Sequence, residues 1–372
     1  MIATTTHTSA RLAGLLAAGL LIASCSGSSG GDSADATTTA ASVSTTTAAT
    51  ADTEAPTTVA ATSTSTAGTE APTTTEVAAP VMPLTGLPIT DQAKANRPAL
   101  VVKIDNHPDA RPQSGLNAAD IVFEENVESL TRFAVVFQSN DSDPVGPIRS
   151  GRTQDVALLG SLNKPLFAWS GGNPNVTRAI DSSDLIDLSQ SRAGNQGGFF
   201  RSGDRKAPHN LYAKTSALYT FTPLYAPPPP QQFVYRAADE AFNGTPSLGV
   251  DLKMDGVKVN WTWNGESQTY LRKQDGKAHM DADLGQVDAS NVVVLEVDYK
   301  PSPADTRSPE AQTIGTGKVY VFTAGVMVEG TWTRGDRLDP FTLTDADGNV
   351  IALTPGRTWV ELARVGTTSP AV

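Results

Sequence analysis

Ala99-Leu-Val-Val-Lys-Ile-Asp105 is an apolar run closed by an acidic residue, and two runs of similar character follow it, Ile121 to Glu125 and Arg132 to Gln138. Runs of this length and composition, bounded by turn-forming residues, predict strands. Between and after them the periodicity changes. Thr153 to Leu162 places Val156, Leu159 and Leu162 at helical spacing, and Val176 to Ile180 and Leu211 to Tyr219 predict further helices. Lys164 to Trp169 predicts another strand, ended by Gly171-Gly172. Strands mixed with helices predict an α/β domain over residues 84–226. Pro227 to Pro230 then form a stiff connector. Beyond it the pattern is β throughout: Val257 to Trp263, Gln268 to Arg272, Val292 to Asp298, Lys318 to Phe322, Met327 to Arg334, Phe341 to Thr344, Val350 to Leu353 and Thr358 to Ala363. Turn pairs such as Asn264-Gly265 and Asp347-Gly348 separate them, which predicts a mostly antiparallel β-rich domain over 227–372. The expected class is α+β.

The region before residue 84 has a different character. Arg11 is the only formally charged side chain in the first thirty-one residues, and the apolar run Leu12 to Ala23 is too short to span a bilayer as a helix. It ends in Ile22-Ala23-Ser24-Cys25, which resembles the lipobox of bacterial lipoprotein precursors. Residues 1–24 therefore read as a signal peptide and Cys25 as the lipidated residue. Cys25 is the single cysteine of the chain, and lipidation accounts for an unpaired thiol in an exported protein. Acyl chains on Cys25 would hold the protein at the outer face of the cell membrane. From Ser26 to Pro80 the chain is mostly Thr, Ala, Ser, Pro and Gly, and 17 of these residues are threonine. With so little apolar surface to bury, residues 25–83 are expected to be a disordered tether.

The formal net charge is −11, but residues 1–80 hold one Arg and six Asp or Glu, leaving −6 for the rest. A mildly acidic body lacks the basic footprint of nucleic-acid binding. A single cysteine excludes disulfides and thiolate metal sites. No cofactor and no metal are expected.

Beyond residue 84 the resemblance to a family is extensive. Lys103-Ile-Asp-Asn-His-Pro-Asp-Ala-Arg-Pro-Gln-Ser-Gly-Leu, followed by Ala119-Asp-Ile-Val-Phe-Glu, resembles the YerB-like bacterial lipoproteins. So do Thr131-Arg-Phe, Gly146-Pro-Ile-Arg-Ser-Gly-Arg and Lys206-Ala-Pro-His-Asn-Leu-Tyr, and later Tyr270-Leu-Arg, His279-Met-Asp, Asn291-Val-Val-Val, Gly330-Thr-Trp and Pro355-Gly-Arg-Thr-Trp-Val. The resemblance spans roughly residues 84 to 365. It implies a lipid-anchored envelope protein of two domains, in a family of unknown function, and carries no catalytic residue across.

The candidate chemistry lies in three polar loops. Arg149 and Arg152 sit in a Gly/Pro loop before a predicted helix, where guanidinium forks and free amides suit a carboxylate or phosphate. The competing expectation pairs them with Glu124, Glu125 or Glu128 inside the fold. His209 and Asn210 precede another predicted element, and Asp105 and Asn106 end the first strand, a favoured place for ligand groups. His279 and Asp281 could begin a metal site, but no further ligand is visible and a solvated strand face is expected. Trp261 and Trp263 share one strand face, as a sugar platform or as packing. Ser161-Leu-Asn-Lys164 lacks the partner motifs of a penicillin-binding serine enzyme. The expected function is a non-catalytic binding or scaffold lipoprotein for an anionic wall polymer, such as peptidoglycan, or for an envelope protein. An enzyme acting on wall polymer or its precursors is the rival, and a transporter's solute-binding lipoprotein fits less well.

Overall fold

In the computed structural model, residues 79–237, 240 and 242–372 are described. Cys25, the expected signal peptide and nearly all of the expected tether lie outside them. The quoted run forms a strand, Leu100–Asp105, buried along its whole length. Its neighbours explain why it reads as continuously apolar instead of alternating. Leu130–Phe137 pairs with it antiparallel on one side and Leu166–Ala168 parallel on the other, and both faces of the sheet are covered.

The sheet continues well beyond these strands. In spatial order it runs Thr342–Asp345, Val326–Arg334, Gly315–Thr323, Asn291–Val297, Thr358–Arg364, Ile121–Val127, Leu130–Phe137, Leu100–Asp105, Leu166–Ala168 and Ile186–Asp187, with Thr245–Pro246 attached at one side. Thr358–Arg364 is the seam. It lies parallel both to Asn291–Val297 and to Ile121–Val127, so the stretches before and after Pro227 share one sheet. The connector is also packed onto the body: Asn163 Nδ2 donates to Pro228 O, and Ser161 Oγ donates to Gln232 Oε1.

A second sheet, in the order Lys277–Ala278, Thr269–Gln274, Val257–Asn264, Gly249–Met254 and Thr368–Ala371, covers one face of the first. Between them lie Val259, Trp261, Tyr270, Val292, Phe322 and Trp359. Helices and loops cover part of the opposite face, where Leu158, Leu162, Val176 and Ile180 pack on Val101, Phe123 and Val136.

Strands predominate, and the helices are short. The longest among the described residues is Pro174–Asp181, where Asn173 caps the amides of Asn175 and Val176 and Pro174 fills the first turn. No helix among the described residues is long and apolar enough to cross a membrane. Two expectations are corrected. Leu211 to Tyr219 is not one helix: Leu211–Ala213 is a strand, and only Thr215–Tyr219 is helical. Backbone pairing of Ala213 with both Val145 and Phe199 wins over the helical spacing. Val350 to Leu353 makes only isolated bridges, Val350 to Thr344 and Leu353 to Tyr235, because its two ends face different partners.

Candidate functional site

Three segments are laced together at the end of the Leu100–Asp105 strand. The Asp105 amide donates to Pro147 O, the Arg149 amide to Lys103 O, and the Ile148 amide to Leu211 O. The Gly-Pro-Ile-Arg segment thus lies against the strand end and also holds the stretch carrying His209. Gly146 makes this path available. Its φ is +146°, and a Cβ there would come within 2.8 Å of the Tyr212 ring.

This lacing brings Asp105, Arg149 and His209 into one cluster. His209 Nδ1 lies 2.7 Å from Asp105 Oδ2. Arg149 Nε approaches the same oxygen at 3.2 Å but without hydrogen-bond alignment, so that contact is coulombic. Asp105 Oδ1 accepts the His107 amide at 3.1 Å. The His107 ring stacks on that of His209, with centroids 4.4 Å apart. Asp105 is nearly covered, whereas Arg149 keeps 28% of its side-chain surface open. Among the described residues, its two terminal nitrogens make no hydrogen bond.

The floor of the cluster is charged and buried. Lys103, on the same strand face two residues before Asp105, is fully enclosed by Glu125 and Asp155, with its Nζ 2.6 Å from Asp155 Oδ1. Burial pulls the Lys103 ammonium down to about 8, against the opposing pull of Asp155. Arg132 beside it is pulled down to about 10, by burial first and then by the charge of Arg152. These side chains fix the floor and leave Arg149 and the histidines at the surface.

The other predicted residues go elsewhere. Arg152 makes an internal pair: its Nη2 donates to Glu128 at 2.8 and 3.0 Å and its Nε to Ser308 Oγ. Burial alone would raise the Glu128 carboxyl, but the Arg152 bond and charge outweigh it and hold it low. Both residues line a polar cleft of about 230 Å³ with Ser150, Asn173 and Ser302. The expected anion site at the following helix start is also filled. That helix, Gln154–Leu158, has five residues, and Asp155 already accepts the Arg152 amide at 2.7 Å.

Asn106 faces inward and is fully buried, donating to Thr131 and Gln274 and accepting from Arg111 and Gln113. Asn210 ties its own loop, bonding Arg201, Ser202 O and Arg205 O. No helix starts at Asn210 for it to cap. Neither asparagine is placed to hold a ligand.

His279 and Asp281 are not on a solvated face. Both are buried. Gln113 Oε1 lies 2.9 Å from His279 Nε2, and Arg272 Nη1 lies 2.5 Å from Nδ1. Arg272 can only donate, so Nδ1 accepts and Nε2 carries the proton. Burial and the Arg272 charge hold this imidazole well below its usual range, neutral and with both nitrogens used. Asp281 accepts the amides of Asn117, Asp283 and Leu284. Trp261 is core, edge-on to Trp359 and donating to Glu361. Sequence reasoning placed Glu124 inside the fold, but as a partner for Arg149 or Arg152, whereas its partner is Arg272; it passed over Arg272 and Glu361, because charged residues in strands read as solvent-facing.

This arrangement belongs to a two-part family. Residues 84–224 match the family described as "Protein of unknown function (DUF3048) N-terminal domain" and residues 250–360 match its C-terminal domain. The chain is a member of this YerB-like family. It is 31% identical over 290 residues to YerB of Bacillus subtilis (strain 168), a protein named as a lipoprotein, covering 75% of this chain and 85% of that one. The crystal structure of YerB superposes with a TM-score of 0.69 at 26% identity, covering 78% of this chain and 99% of that one.

Proposed function

We propose that the protein is a lipid-anchored envelope protein that binds, without catalysis, an anionic group of a wall polymer or of another envelope protein. The observation that carries this reading is the Arg149 guanidinium. Its inner edge rests on Asp105 while its outer nitrogens are free, beside His209 and His107. A planar fork oriented from behind is suited to a carboxylate or phosphate. Arg149→Ala is expected to weaken binding to purified anionic wall polymer by about 1.5–3 kcal/mol, tenfold to a hundredfold. Its melting temperature should change little, because a part-exposed pair contributes little to stability. A large loss of stability with binding intact would make Arg149 a structural ion-pair partner instead.

The Asp105–His209 contact favours one second reading. A carboxylate on Nδ1 leaves the Nε2 of His209 as a base, as a polymer-cleaving enzyme requires. Turnover of wall polymer by the wild-type protein and not by His209→Ala would establish it.

Anchoring rests on Ile22-Ala-Ser-Cys25 and on the family relationship. Cys25→Ala is expected to leave an uncut precursor or to release the protein from membranes. Membrane fractionation showing the variant processed and still bound would remove the lipid anchor from this reading.

A further inference from the structure

We propose that His107, Asp109 and His209 form a binding site for a divalent transition-metal ion of the zinc class. One donor atom from each residue lies within 4.8 Å of the other two. His107 Nδ1 is 3.7 Å from Asp109 Oδ2. Two donors each about 2.0–2.1 Å from a tetrahedral ion stand about 3.3 Å apart, so a small rotation brings this pair to bonding geometry. Both side chains are free to make it, His107 being 39% and Asp109 74% exposed. Two contacts have to be given up: a long bond, 3.2 Å from the Asp109 amide to His107 Nδ1, and the stacking of the exposed His107 ring on His209, because an imidazole binds an ion in its own ring plane.

His209 is the fixed member, with 12% of its side chain exposed. Asp105 holds its Nδ1 at 2.7 Å, which fixes the tautomer that leaves the lone pair on Nε2. Ligating histidines are commonly oriented by a carboxylate in this way. Asp105 is itself engaged by the His107 amide and by Arg149, so it acts as a positioning residue and not as a ligand. Arg205 steadies the intervening turn from the other side, donating to Asp109 O and Pro112 O. Two imidazoles and one carboxylate suit zinc and its neighbours over magnesium or calcium, and three protein ligands leave an open position.

The inference rests on this geometry and not on the polymer reading, so its test contains no polymer. The mature lipidated chain, stripped with chelator, is titrated with Zn²⁺ by calorimetry and with Co²⁺ by visible absorption. One ion per chain is expected, with the absorption intensity of a four- or five-coordinate cobalt site. His107→Ala, Asp109→Asn and His209→Ala should each weaken binding at least tenfold, and Asp105→Asn tenfold to a hundredfold. His107 and Asp109 are exposed, so the metal-free melting temperature of their variants should match the wild type. Binding of equal strength in His107→Ala and Asp109→Asn, or no stoichiometric binding by the wild type, would overturn the site. Either result would leave the anion reading at Arg149 to be decided by its own measurement.

Discussion

Arg272→Met is expected to lower the free energy of unfolding by about 3–5 kcal/mol, the cost of removing one partner from a buried ion pair. Arg272 and Glu124 are both fully buried between the two sheets, with Nη2 2.6 Å from Oε2. The same guanidinium donates to His279 and Gln274 and lies over the Trp359 ring at 5.1 Å. Glu361 is close by and accepts from Trp261 Nε1 at 2.8 Å. Burial, and then the charge of Glu124, hold its carboxyl well above the usual range, while Glu124 has Arg272 as its counter-ion. Without Arg272 that charge has no counter-ion. The double variant Arg272→Met with Glu124→Leu should recover most of the loss, because an apolar pair of similar volume replaces an ion pair at little cost. Denaturant melts of the two singles and the double complete the cycle. A loss below about 1 kcal/mol in Arg272→Met would mean that water reaches Glu124.

Dividing the chain at Pro227 is expected to have a still larger effect. A fragment of residues 79–226 keeps Ile121–Val127 but loses Thr358–Arg364, its parallel neighbour. Trp359, Val360, Leu362 and Ala363 are all buried in the intact protein. At about 1.5–3 kcal/mol for each large buried side chain, losing them and the surface they cover consumes most of a typical stability of about 5–15 kcal/mol. Each fragment should be insoluble or without a cooperative melt when made alone. Made together, the two should co-purify. A cooperative melt from the 79–226 fragment alone would show that the seam strand is dispensable.

The contrast between what the sequence disclosed and what it hid follows from side-chain direction and from long-range pairing. Strands such as Leu100–Asp105 and Asn291–Val297 are legible because both faces are buried and most of their positions carry branched apolar residues. The site was half legible for a related reason. Asp105, Arg149 and His209 stand at the ends of recognisable elements. Asn106 and Asn210 are their immediate neighbours, yet Asn106 follows the strand end with its side chain turned inward, and Asn210 sits in a turn whose own backbone carbonyls take up its amide. The seam could not be read locally. Thr358–Arg364 looks like any strand of a β-rich domain, and nothing in its composition records that one neighbour lies more than two hundred residues upstream. The same holds for Lys103, Glu124, Arg272 and Glu361, whose partners are brought to them only by the fold.

The position of that seam strand also dictates an order of events. A chain made and delivered from its N-terminus presents Ile121–Val127 more than two hundred residues before Thr358–Arg364. The central hydrogen-bonded ladder therefore cannot close while Thr358–Arg364 is still inside the ribosome or a translocation channel. Until then the Ile121–Val127 strand waits with one edge unpaired, the condition in which strands are captured by other chains. Closure of this sheet waits on the arrival of Thr358–Arg364, and a nascent chain stalled short of Thr358 would be a substrate for proteases and holding chaperones instead of a partly working protein.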